Sequence, residues 1–187
     1  MAEHIYIQPI SSSRGREPEA WLLEKIAHRL VEIFNAKVIV ERESVHIPDT
    51  AYNPRRHQYS AEMIVQFLDR EKKSGKVLAV ADFDLYVPSL NFVFGLAGLL
   101  TDIAIISLAR LRQEFYQLPA DPTRFTSRAI KEAVHEIGHL YELSHCPDTR
   151  CVMHFSNSLQ DTDRKSEEPC AKCREIIKQN GRKNQNR

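Results

Sequence analysis

The residue types and spacing that could do chemistry are concentrated in one short stretch, His135-Glu136-Ile137-Gly138-His139. Residues four apart on a helix face the same way, so His135 and His139 can direct two ring nitrogens at one zinc ion. Glu136 would lie beside that ion and could take a proton from a water that the zinc activates. The stretch therefore predicts a hydrolytic zinc centre with Glu136 as general base.

A third histidine, His145, follows His139 by six residues. A continuous helix would carry it about 9 Å further along the axis and onto another face. We therefore expect the helix to stop and the chain to turn back, so that three imidazoles meet at one ion. The five-residue motif alone also occurs by chance, but here an apolar stripe, Ile130, Val134 and Ile137, fixes the buried side of the helix and the histidines flank it.

Four cysteines lie in the last quarter of the chain: Cys146, Cys151, Cys170 and Cys173. Their arrangement in two pairs suits a tetrahedral, structural zinc ion. In a reducing compartment such clustering favours a metal over disulfides, and two disulfides or free thiols are the alternative. The run Pro169 to Cys173 also contains P-C-x-x-C, half of the zinc deaminase signature. The other half is H-x-E, which this sequence lacks.

Bulk properties narrow the range of partners. The chain has 187 residues and a formal net charge of +1, so one domain with a substantial core is expected. The balanced charge gives no indication of a nucleic-acid or membrane partner. The amino-terminal residues lack the pattern of a signal peptide, and glycines and charges interrupt the longest apolar stretch, residues 92–111. These features predict a cytoplasmic protein, which we expect to be a monomer.

The elements that must position these residues follow an α/β pattern. The order of periodic segments predicts a twisted, mixed sheet of five strands backed by three main helices. The predicted strands are 4–9, 36–40, 76–83, 92–96 and 103–108, and the predicted helices are 18–35, 60–75 and one capped by Thr126 or Ser127 that carries the histidines. The strand 92–96 is expected at an edge, where unpaired backbone groups could bind a peptide or protein substrate.

The chain is predicted to be a single domain, 1–187, with two unequal parts. Residues 1–141 form an N-terminal subdomain that ends with the active-site helix. Residues 142–180 form a C-terminal subdomain that the four-cysteine zinc site stabilises and that includes a last helix, 170–179. The polar residues 181–187 are predicted to be a disordered tail.

The combined carboxy-terminal motifs resemble one known family. The stretch HEIGHLYELSHC, then C-x-M at Cys151 and C-x-x-C at Cys170, is similar to the archaemetzincin pattern H-E-x-x-H-x-x-G-x-x-H-C, C-x-M, C-x-x-C. RRHQYSA at 55–61 and DFDLYVPSLNFVFG at 82–95 are also similar to that family. The resemblance implies a metzincin-like zinc metallopeptidase with Met153 in a Met-turn beneath the zinc. It implies a catalytic zinc on His135, His139 and His145, and a structural zinc on Cys146, Cys151, Cys170 and Cys173.

Two positions differ from related patterns. Glu142 stands where the family has its turn glycine, and a non-glycine residue in left-handed geometry costs roughly 1 to 2 kcal/mol. We expect the chain to turn there nonetheless and His145 to reach the zinc, because a metal bound by Cys146 would tether it. Phe155 stands where some metzincins carry a metal-binding tyrosine, so three protein ligands plus water are expected at the catalytic ion.

The predicted function is hydrolysis of peptide bonds by zinc-activated water, with Glu136 as the base. The sequence does not decide between an endopeptidase and an aminopeptidase. The alternative is a zinc-binding, peptide-recognition module with little or no turnover. Glu142 favours that alternative, whereas the intact Glu136 opposes it. Hydrolysis of a bond other than a peptide bond is a third interpretation.

Overall fold

The computed structural model describes residues 4–71 and 75–185, and the chain there alternates between strands and helices. Apolar alternation produces the strands, and amphipathic stretches produce the helices. The strands are β1 His4–Ser11, β2 Lys37–Val40, β3 Val45–His46, β4 Tyr52–Asn53, β5 Gln58–Ser60, β6 Lys76–Ala81, β7 Leu85–Tyr86, β8 Gly95–Gly98 and β9 Ile103–Ser107. The α-helices are α1 Ala20–Phe34, α2 Ala61–Glu71, α3 Pro122–Leu140, α4 Leu159–Arg164 and α5 Ala171–Gln185.

The main sheet has the order β2-β1-β6-β9-β8, and β3 pairs with the end of β1. The first four strands are parallel, while β8 runs antiparallel to β9 at the edge. The predicted mixed α/β fold is therefore confirmed. A second, small sheet of β4, β5 and β7 lies apart from the main one.

Both faces of the central strands are covered, which explains their near-continuous apolar sequences. Leu78 and Val80 of β6 belong to the core that α1 and α3 share. Ala79 and Ala81, which point the other way, belong to the core of α2. Among the described residues, no helix combines the length and the apolar composition needed to cross a bilayer.

Helix α3 begins earlier than the sequence analysis predicted. Asp121 caps it by accepting a hydrogen bond from the backbone N–H of Arg124 at 2.9 Å, and Pro122 occupies the first turn. The predicted caps, Thr126 and Ser127, lie inside the helix. Asp followed by Pro is the stronger start signal, because it combines a capping carboxylate with a backbone already set for the first helical position.

The predicted edge strand 92–96 is displaced in the structure, where β8 spans Gly95–Gly98. The carbonyl of Phe94 still accepts a hydrogen bond from the N–H of Ser107 in β9 at 2.8 Å, but Val93 pairs elsewhere, because its N–H donates to the carbonyl of Leu85 at 3.0 Å. The prediction followed the apolar residues, but those side chains cover the cleft and the small sheet. The ladder with β9 is formed by the residues that follow, Gly95–Gly98.

The carboxy-terminal helix is longer than predicted. α5 continues to Gln185, so residues 181–185 of the predicted disordered tail are helical, while residues 186 and 187 lie outside the described part of the chain. The side chain of Asn180 donates to the carbonyl of Tyr141 at 2.9 Å and fixes the helix to the end of α3.

Candidate metal centres and active-site cleft

The three predicted histidines converge. His135 and His139 lie on the last turns of α3, and a ligand atom of each of the three, His145 included, lies within 4.8 Å of the others. The Nε2 atoms of His135 and His139 are 3.2 Å apart. A tetrahedral zinc ion with ordinary Zn–N bonds places two ligand nitrogens about 3.3 Å apart, so the arrangement fits that metal.

Backbone carbonyls orient the two helical imidazoles. Nδ1 of His135 donates to the carbonyl of Val152 at 2.9 Å, and Nδ1 of His139 donates to the carbonyl of Leu143 at 2.7 Å. These bonds leave both Nε2 atoms free to act as ligands, as in known zinc sites. Burial lowers the pKa of His135 well below its usual value and lowers the pKa of His139 as well. Both rings are therefore neutral, which is the form that binds a metal.

The chain turns at Glu142, as expected. Its φ is 63°, in the left-handed region. The N–H of Leu143 donates to the carbonyl of Gly138 at 3.1 Å, and that of Glu142 donates to the carbonyl of His139 at 2.9 Å. This pair of bonds is a Schellman motif, the usual end of a helix, with glutamate at the position that glycine prefers. The same turn brings the carbonyl of Leu143 to the ring of His139.

Met153 packs beneath the histidines. It is fully buried, and a Cβ placed on Gly138 would lie 2.9 Å from its Cε atom, so the glycine lets the methionine approach the helix closely. The N–H of Cys146 donates to the carbonyl of Met153 at 2.9 Å. His154 is not a member of the histidine cluster, and its Nδ1 donates to the carbonyl of Cys146 at 2.8 Å. The next residue, Phe155, packs its ring 4.9 Å from that of His145.

The four cysteines form a second cluster, with their sulfur atoms within 4.8 Å of one another. Sγ of Cys146 lies 3.8 Å from Sγ of Cys170, close to the separation of about 3.8 Å that a tetrahedral zinc imposes at Zn–S of 2.3 Å. No disulfide joins any of these four cysteines. The backbone N–H of Cys173 lowers the pKa of Cys170 to about 7, which favours the thiolate.

An open cleft with a volume of about 490 Å³ lies over the histidines. α3 forms one wall, and β8 with the segment before it forms the other. The residues lining it are mostly apolar, and its acidic members are Glu132 and Glu136. Phe155, Ser156 and Asn157 form its third side.

Glu136 is buried between α3 and the edge strand. A Cβ on Gly95 would lie 2.5 Å from its Oε1 atom, so glycine at that position leaves room for the carboxylate. Burial raises the pKa of Glu136 well above its usual value, and the nearby Glu132 raises it further. A carboxylate with a raised pKa next to three metal-ligand candidates is suited to accept and release a proton.

A sequence model of peptidase family M54 matches residues 13–179. The archaemetzincin of Methanocaldococcus jannaschii is 40% identical over 181 residues, which is 97% of this chain and 96% of the relative. The chain belongs to the archaemetzincin family, peptidase family M54. It is thus a member of a metallopeptidase family, and the resemblance of its motifs is confirmed.

Solved structures agree with this assignment. The crystal structure of an archaemetzincin from Methanopyrus kandleri superposes with a TM-score of 0.82 at 35% identity, covering 96% of this chain and 95% of that one. A zinc-dependent peptidase from Methanocorpusculum labreanum gives a TM-score of 0.81 at 31% identity, covering 93% and 98%. The fold predicted for this archaemetzincin is therefore observed in crystals of its relatives.

The sequence analysis missed the side chains that hold one rim of the cleft, the segment around Leu90 and Asn91 that leads into β8. Nη2 of Arg56 donates to the carbonyls of Leu90 and Asn91 at 2.7 and 3.0 Å. Nε2 of Gln58 donates to the carbonyl of Asn91 at 2.9 Å and to Oδ2 of Asp84 at 3.0 Å. These bonds fix the segment that leads into β8. The signal was present in RRHQYSA, which resembles the family but has no metal-ligand spacing to suggest a role.

Arg110 completes this support. Its guanidinium donates to both carboxylate oxygens of Asp84, at 2.7 and 2.8 Å, and lies 4.3 Å from the centre of the Phe92 ring. A bidentate arginine–carboxylate pair holds both groups in a fixed orientation. The rim is therefore a rigid wall that the small sheet supports.

Proposed function

We propose that this archaemetzincin is a zinc-dependent peptidase that hydrolyses peptide bonds, with a catalytic zinc held by His135, His139 and His145. The observation that carries this proposal is the convergence of three imidazoles in an open cleft, with two of their rings oriented by backbone carbonyls. A site with three protein ligands and access to solvent is the arrangement of catalytic zinc sites. When bound, zinc polarises a carbonyl and makes a water more acidic.

Glu136 is the general base in this proposal. Its carboxylate lies beside the histidines and faces the edge strand, where a scissile carbonyl would lie. It takes a proton from the attacking water and delivers it to the leaving nitrogen, so one residue serves both proton transfers. The raised pKa of Glu136 supports the second transfer, because a more basic carboxylate holds the proton until it is transferred to the leaving nitrogen.

The substrate in this proposal is an extended peptide or protein segment that pairs with the free edge of β8. That strand lies at the end of the main sheet, and three of its residues line the cleft. An edge strand binds extended chains through backbone hydrogen bonds, and pockets beside the strand add a preference for particular side chains. The predicted site on 92–96 is thus moved to Gly95–Gly98.

The four cysteines hold a second, structural zinc in this proposal, for a total of two ions per chain. Three of the four cysteines are buried, and their four-thiolate arrangement fits a closed site, whereas the histidine site is open. Such an ion would join the turn after α3 to the start of α5. The two proposed ions therefore have different tasks.

The test is a digest of a broad peptide library by the zinc-loaded protein, with Glu136→Gln as the matched variant. Removing a general base lowers the rate by roughly 10² to 10⁴. We expect cleavage by the native chain, a loss of that size in the variant, and about two zinc ions in both by elemental analysis. Equal cleavage by both proteins would exclude Glu136 as the base. Peptide binding by the native chain without cleavage would identify a recognition module instead.

A further inference from the structure

The α3 wall of the cleft carries a second carboxylate that the proposed reaction does not use. Glu132 lies four residues before Glu136, on the same face of the helix, and its side chain is 4% exposed. It lines the cleft together with Glu136. Among the described residues that line the cleft there is no lysine or arginine, so the cleft next to the histidines is acidic.

Lysine and threonine side chains hold this carboxylate from one side. Nζ of Lys165, a fully buried residue outside the cleft lining, donates to Oε1 of Glu132 at 3.1 Å. Oγ1 of Thr162 donates to the same oxygen at 3.3 Å. Within the described part of the chain, no donor reaches Oε2. The ion pair therefore has its positive end in the interior and its negative end towards the cleft.

Stability alone is a weak reason for this pair. Moving two charges out of water costs about as much as their attraction returns, and apolar residues of similar volume often replace such pairs without loss. Oε2 of Glu132, on a side chain that lines the cleft, is free to accept a hydrogen bond from a ligand. Both considerations point to a ligand with a hydrogen-bond donor.

We propose that Glu132 binds a positively charged group of the substrate, an ammonium or a guanidinium, next to the scissile bond. The inference rests on the proposed function, because Glu136 marks where the bond is cut. Four residues of helix separate the two glutamates by about 6 Å along the axis. Neighbouring residues of a peptide are 3.8 Å apart at Cα, so the residue beside the cleaved bond can reach Glu132 with its side chain.

The same chemistry has two sources, a lysine or arginine side chain within the peptide or the free amino terminus of a short substrate. The first makes the protein an endopeptidase with a preference for basic residues. The second makes it an aminopeptidase. The experiment therefore compares peptides that carry a free or an acetylated amino terminus.

The experiment measures initial cleavage rates of matched peptides that carry lysine, norleucine or glutamate beside the cleaved bond. We expect the lysine peptide to be cleaved about tenfold faster than the norleucine peptide. This ratio is the lower limit for the contribution of a hydrogen bond to a charged group, and we expect it because Lys165 partly neutralises Glu132. Glutamate should be the poorest. If the preference depends on a free amino terminus rather than on lysine, the amine is the bound group.

The variant pair removes both charges, since Glu132→Gln alone would leave the charge of Lys165 buried without an anionic partner. In Glu132→Gln/Lys165→Met the preference for the positive group should fall to within about twofold. The control is Arg128→Gln/Asp163→Asn, which removes another α3 ion pair, 2.7 Å long and outside the cleft, and should keep the preference.

The outcomes separate this inference from the proposed function. Cleavage without a charge preference, or a preference unchanged in the Glu132 double variant, overturns the role of Glu132. If no peptide is cleaved, the proposed function fails, and Glu132 is tested by binding of the lysine and norleucine peptides to the zinc-loaded protein. Equal affinities for the two peptides would then overturn it.

Discussion

The two clusters of candidate ligands are built in opposite ways. Two of the three histidines lie on α3, a helix of 19 residues with a capped start and a core that it shares with α1 and the main sheet. The cysteines come from three places: the turn after α3, the neighbourhood of Met153 and the start of α5. Between Met153 and Cys170 the described chain contains one short helix, α4.

This difference indicates which site depends on the fold and which one supports it. The histidine geometry is specified by helix spacing and by carbonyls of the backbone, so we expect it to exist before an ion binds. The segment around α4 is attached to α3 mainly by charged groups, such as Arg128 with Asp163 and Lys165 with Glu132. A metal crosslink among the cysteines would supply the stability that its small apolar core does not.

The largest effect should follow loss of the cysteine cluster. Cys151→Ala removes a buried thiolate candidate, and structural zinc contributes on the order of 10 kcal/mol in small zinc domains. That is comparable to the whole stability of a typical domain, about 5–15 kcal/mol. We expect the C-terminal part to unfold, with a large loss of helical circular dichroism and of thermal stability.

The matched variant for this comparison is His135→Ala, which should lose one zinc but keep the fold and unfold within a few degrees of the parent. Elemental analysis and thermal unfolding measure both variants. If Cys151→Ala retained two zinc ions and the parent's unfolding temperature, or if His135→Ala unfolded first, the contrast between the sites would be wrong.

Removal of metal should show the same contrast in the unaltered chain. An open site exchanges its ion more readily than a closed tetrahedral thiolate site. A mild chelator should therefore take one zinc and abolish peptide cleavage while the circular dichroism spectrum stays unchanged. Adding zinc back should restore the activity. Simultaneous loss of both ions and of the fold would contradict the division of tasks.

The sequence was sufficient for the parts of the site whose geometry is local. The spacing of His135 and His139 on one helix face required no tertiary information, and the near-continuous apolar runs of β6 and β9 identified the central strands. The position of the edge strand was predicted wrongly, because it depends on where the segment before Gly95 pairs. Arg56 and Gln58 hold that segment from 33 or more residues away in sequence.

The role of Glu132 depends on tertiary structure in the same way. Its helical spacing from Glu136 is visible in the sequence, but its partner Lys165 lies 33 residues away. Periodicity indicates which face of a helix a residue occupies, not which part of a distant segment covers it. The sequence alone therefore predicts the candidate metal ligands but not the residues that surround them in the fold.

An intermediate effect is expected at Gly95, where the edge strand touches Glu136, the proposed general base. In Gly95→Ala the new Cβ would meet the carboxylate of Glu136, and a displacement of about 1 Å at a reacting group can cost 10² in rate. We expect such a fall in cleavage rate with both zinc ions retained. Gly181→Ala is the control, since its Cβ would find only an ordinary contact at 3.7 Å. An unchanged rate in Gly95→Ala would mean that Glu136 has room that the structure does not give it.

The smallest effect should come from Glu142, the residue that ends α3 in a left-handed conformation. Glycine adopts this conformation without the cost of roughly 1 to 2 kcal/mol that other residues bear, but it also loosens the unfolded chain. Glu142→Gly should therefore raise the free energy of unfolding by about 1 kcal/mol or less, a shift of a few degrees in the melting temperature.

Gln117→Gly is the matched control, because Gln117 has a φ of 60° and lies away from both ligand clusters. Both variants should gain similar stability and keep two zinc ions and the parent's cleavage rate. If Glu142→Gly alone gained a zinc ion or a large increase in activity, His145 of the parent would not reach the metal. The histidine site would then depend on its turn as much as the cysteine site depends on its ion.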